Sequence, residues 1–172
     1  MADLMSILQL LGAGSVGGVV SQYVTAAPDR RKARATAREA MAELERKRWA
    51  SGGDGERREL RDAAHAFESA TMISGLPREV AQWYVRVITA SYNESLRSWK
   101  EQPLPEFGGG VPVVYMDAFA GAADLVQFVL WHPQRSKLTW RRRLKRSQAA
   151  VAEATADSPL VQRDLARASG SV

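Results

Sequence analysis

Three regimes of apolar and polar residues follow one another along this chain. From Leu4 to Pro28 no residue is charged, a window of 25 positions bracketed by Asp3 and Asp29. From 30 to 50 the order inverts, with Ala, Glu, Arg and Lys dominant and a thin apolar side of Ala33, Ala37, Ala40, Met41 and Leu44. From 56 onward large apolar residues return at intervals of three and four, the repeat of an amphipathic helix lying on a core. No series of strands is legible, so the pattern predicts an all-α chain.

The repeat sets the elements. Leu60, Ala63, Ala64, Phe67, Ala70 and Thr71 share one face of a helix over 56–73. Pro77 is placed as a first helical residue and opens a helix to about Lys100. Its core positions are Val80, Trp83, Tyr84, Val87 and Ile88, continued by Tyr92, Leu96 and Trp99. Residues 102–112, rich in Pro and Gly, read as a loop. The next helix, Val113 to Trp131, is apolar nearly all round and reads as the central helix, exposing a narrow stripe of Asp117, Gly121 and Asp124. Ser136 is expected to cap a helix to about Ala156 with Trp140, Leu144, Val151 and Ala154 inward. Ser158-Pro159 starts a short last helix with Leu160, Val161 and Leu165.

The uncharged window contains Gly12-x-Gly14-x-x-Gly17, the spelling of a dinucleotide-binding turn. That turn needs a helix, a second strand and an acidic residue about 20 positions on. Asp29 stands only 12 residues after Gly17, too few for such a crossover. A helix of about 20 apolar residues spans a bilayer, and glycine is tolerated there because no other backbone form satisfies itself in lipid. Ala13-x-x-x-Gly17 and Gly14-x-x-x-Gly18 then serve as close helix-helix contacts. The run Asp29-Arg30-Arg31-Lys32-Ala33-Arg34 follows as a basic stop that keeps the rest of the chain in the cytoplasm. A cleaved signal peptide would want cations ahead of the window, and only the amino terminus is there. The competing reading is an apolar helix buried in a soluble protein or oligomer.

Composition adds little to this, but charge does. The chain has no cysteine, which removes disulfides and thiol chemistry. Its 19 Arg against 5 Lys suggest a GC-rich, bacterial or phage, source. The net charge of +5 is uneven: residues 30–50 hold eight basic and three acidic side chains, 56–124 seven basic and ten acidic. Residues 135–146 hold seven cations and no acid: Arg135, Lys137, Arg141, Arg142, Arg143, Lys145 and Arg146. Such a block meets nucleic-acid phosphates, an anionic membrane surface with Trp131 and Trp140 beside it, or acidic groups of its own bundle or a partner.

Catalytic chemistry is hard to assemble. Asp62, His65 and Glu68 lie along one side of a helix, but a bundle metal site needs such a group twice. His132 before Pro133 reads as a helix-end residue. No triad, HExxH motif or phosphate-binding loop occurs, so the sequence calls for no cofactor, no metal and no small-molecule substrate.

The expected architecture is a membrane-spanning apolar helix over 1–28, a charged stalk helix over 29–50 and a hinge at 51–55. A bundle of about four to five helices over 56–168 and a frayed tail, 169–172, complete it. Two functions follow. One is a membrane-anchored cytosolic scaffold or regulatory module without catalysis, with the N-terminus outside. It would pair with a second copy through Ala13, Gly14, Gly17 and Gly18, and meet an anionic surface or protein partner through Arg30, Arg31, Lys32, Arg34 and residues 135–146. The other is a soluble cytoplasmic protein binding nucleic acid through 135–146.

Overall fold

Helices make up the fold of the computed structural model, which describes residues 29–49, 55–101 and 113–167. α1 covers residues 29–47, followed by α2 (Glu56–Ser74), α3 (Arg78–Glu101), α4 (Val113–Trp131), α5 (Pro133–Ala154) and α6 (Pro159–Arg167). No strand occurs among the described residues. The apolar window 4–28, with Ala13, Gly14, Gly17 and Gly18, lies outside them, as does most of the expected hinge. Among the described residues no helix is long and apolar enough to cross a membrane.

α3 is the centre of the bundle. It packs on α2, α4 and α6 and buries eleven of its residues, among them every apolar position of the predicted register from Val80 to Tyr92. The central place predicted for α4 is therefore α3's. Both ends of α4 carry exposed apolar residues, Val113, Met116 and Trp131, as well as the expected Asp117 and Asp124. High apolar content alone does not distinguish a helix enclosed on all sides from one with an open face.

α1 is a helix as the sequence predicts, and its thin apolar side packs on the bundle. Ala37, Met41 and Leu44 are buried in the common core. Tyr84 of α3 donates its hydroxyl to Glu45 of α1 at 2.7 Å, and its ring meets Phe67 of α2 edge-on at 5.2 Å. Lys47 pairs with Glu59 across the α1–α2 connection.

Burial first, and then the Glu45 charge, hold the Tyr84 phenol well above its ordinary value of 10.0. The unfolded chain therefore ionises this tyrosine at a pH where the native chain keeps it neutral. The corresponding stability is complete below about pH 10 and is lost as pH rises, at up to about 1.4 kcal/mol per pH unit. Urea unfolding of the parent and Tyr84→Phe at about pH 8 and about pH 11 checks this: the parent's advantage should shrink at the higher pH. An advantage that is constant or growing would show that the hydroxyl is not buried on Glu45.

Turns follow local chemistry. α2 ends at Gly75, whose φ of 78° is the left-handed conformation glycine adopts without strain. Pro77 serves as acceptor for the first amides of α3, taking bonds from Val80 and Ala81 rather than opening the helix itself. α5 starts earlier than predicted. Pro133 fills its first turn, His132 precedes it, and Ser136 is buried with its hydroxyl on the Pro133 carbonyl instead of capping. Proline's fixed φ and missing donor suit that position better than a cap three residues later.

Candidate anionic-surface interface

The cations of α5 point outward because its apolar positions leave them no other face. Ser136, Leu144, Ser147 and Val151 are buried, spaced to keep one side of the helix on the core. All seven cations of 135–146 are exposed, and so is Leu138, at 92%. Leu138 is three residues after Arg135, four before Arg142 and seven before Lys145, so these four share the outward ridge.

Two of the cations lean on rings. Arg143 lies over Phe128 of α4 at 3.8 Å from the ring centroid, and Arg141 over Trp140 at 5.3 Å. The ion pairs of the described residues lie elsewhere, among α1, α2, α3 and α6. No described carboxylate forms an ion pair with a cation of 135–146. The acids are turned elsewhere, as Glu94 and Asp164 are on Arg97.

α1 brings the second basic run to the same place. Arg38 stacks on the Trp131 ring at 4.1 Å, immediately before the α4–α5 corner. Arg30, Arg31 and Lys32 are exposed and Arg34 half-buried one to two turns further toward the start of α1. At a rise of about 1.5 Å per residue they lie within about 12 Å of Arg38 along the axis. Basic runs about a hundred positions apart in sequence thus converge on one end of the bundle. Comparison with known protein families, curated proteins and solved structures gave no match.

The other candidate residues stay apart. Asp62 and His65 are exposed and Glu68 half-buried on α2, and no cluster able to hold a metal occurs among the described residues. Asp117 and Asp124 face solvent on α4, and the His132 ring lies tilted against Phe128, 5.3 Å between centroids. Trp131 was legible from sequence beside the basic block, whereas Leu138 and Arg38 belong to the candidate surface and were not singled out. Leu138 was legible on a helical wheel, as an apolar residue opposite Leu144 and Val151. The Arg38–Trp131 contact carries no local signal, since its partners are joined only by the fold.

Proposed function

We propose that the protein is a membrane-anchored helical scaffold or regulatory module that acts by binding, its body held against the cytoplasmic face of the membrane. The observation that carries this reading is Arg38 on Trp131. It joins the two basic runs at the end of the bundle where α1 continues back into the uncharged window 4–28. A span leaving from that end would set both runs beside lipid headgroups, where each cation contributes about 1 kcal/mol. Ala13, Gly14, Gly17 and Gly18 would then pair the spans of two copies.

Fractionation tests the anchor. The full chain should sediment with membranes and resist extraction by high salt, whereas after removal of residues 1–27 high salt should release it to the supernatant. A full chain that remains in the supernatant without detergent overturns the reading. One observation favours a second function, a soluble nucleic-acid binder: the α5 cations without carboxylate partners fit a phosphate backbone equally well. That reading requires a salt-sensitive gel shift with duplex DNA or RNA, and no shift rules it out.

A further inference from the structure

Four of the large apolar side chains exposed among the described residues, Met72, Ile73, Trp131 and Leu138, belong to chain segments that run toward the basic end. Met72 and Ile73, each 76% exposed, stand in the last turn of α2 beside the Gly75 reversal. α2 runs back along α1, because Lys47–Glu59 ties their near ends and Phe67 and Glu45 both reach Tyr84. The last turn of α2 therefore comes to the end of the bundle that holds the start of α1.

α5 reaches the same end from the other side. Trp83 donates to Ser147 at 3.0 Å, and further along α3 Arg97 pairs with Asp164 of α6 at 2.8 Å. Advancing along α3 thus advances along α5 and α6. The residues before Ser147, which carry the cations and Leu138, extend toward the beginning of α3 and the Met72–Ile73 turn.

We infer that Leu138, on the α5 ridge with Arg135, Arg142 and Lys145, and Met72 and Ile73, on the last turn of α2, form a lipid-inserting surface that docks the bundle end on anionic phospholipid. This deepens the membrane reading above and rests on it for orientation. The mixture selects the occupant. Cations draw the surface to anionic headgroups, and apolar tips gain by passing below them, the two requirements of an interfacial protein surface. Duplex phosphates would reward the cations but leave three solvent-exposed apolar tips without a partner. A protein partner would have to supply acidic groups around apolar pockets for three tips on two elements, whereas a bilayer presents both layers everywhere.

The absence of native cysteine makes the test direct. The full chain, carrying Met72→Cys, Leu138→Cys or Leu160→Cys singly, is labelled with an environment-sensitive fluorophore. It is then reconstituted with phosphatidylcholine vesicles with and without phosphatidylglycerol. Leu160 is half exposed on α6, away from this end, and serves as the reference. Labels at 72 and 138 should brighten severalfold with phosphatidylglycerol and be quenched by lipid-borne quencher, while the label at 160 stays aqueous. The inference is overturned if labels at 72 and 138 remain aqueous, if all three respond alike, or if 72 and 138 are shielded by duplex DNA and not by vesicles. The two proposals fail separately. Flotation with both vesicle types and aqueous labels would leave the anchor and remove the docking surface. Labels that enter anionic vesicles in a chain that does not float with neutral ones would do the reverse.

Discussion

Replacing Phe67 by alanine is expected to lower the unfolding free energy by about 3–5 kcal/mol, a large share of a domain's usual 5–15. Phe67 is fully buried, and its ring meets the Tyr84 ring edge-on at 5.2 Å. Tyr84 in turn holds Glu45, so one aromatic pair ties α1, α2 and α3 together. The truncation removes the apolar transfer free energy, leaves a cavity that helix backbones cannot easily close, and forfeits the ring contact. Urea unfolding followed by tryptophan fluorescence gives the magnitude. Hydrogen exchange gives the location: amides of Ala37, Met41 and Leu44 should lose protection along with those of α2. A loss below about 1 kcal/mol, or an α1 whose exchange is unchanged, would show that α1 is not part of this core.

What the sequence revealed and what it hid divide along a physical line. The α3 register was legible because Val80, Trp83, Tyr84, Val87 and Ile88 are large and obey one period, so each reports the same face. α1 was harder, because its inward side consists of Ala37, Met41 and Leu44. Alanine reads as neutral propensity in a solvated helix and as close packing in a buried one, and only the neighbour decides which. The rank of α4 was misjudged for a related reason: its apolar content says that much of it prefers burial, not how many helices are available to bury it. At the candidate surface the cations were legible one by one. Their convergence was not, because Arg38 and Trp131 meet through tertiary structure alone. The glycine contacts expected at Ala13, Gly14, Gly17 and Gly18, read from spacing, lie outside the described residues and stay a proposal.

Reversing Arg135, Arg142 and Lys145 together to glutamate is expected to weaken partition of residues 29–172 onto anionic vesicles by at least about a hundredfold. Each lost cation is worth about 1 kcal/mol at such a surface, and each new carboxylate adds repulsion. The three were chosen over Arg141 and Arg143 because those two also cover Trp140 and Phe128, so changing them would disturb packing. A fall in binding caused by unfolding would look similar, but the helix predicts the opposite stability change. In α5, Arg142 stands one turn before Arg146, and Arg141 one turn before Lys145, both like-charge pairs that cost a few tenths of a kcal/mol. Glutamate at 142 and 145 converts both into attractive pairs, and glutamate at 135 sits in the first turn, where the helix dipole favours an anion. Thermal stability should therefore hold or rise while vesicle binding collapses. Sedimentation with vesicles and a thermal melt on the same samples read the two effects independently. Undiminished partition would remove the basic ridge from the membrane contact, and a melt lowered by several degrees would show that these cations support the fold instead.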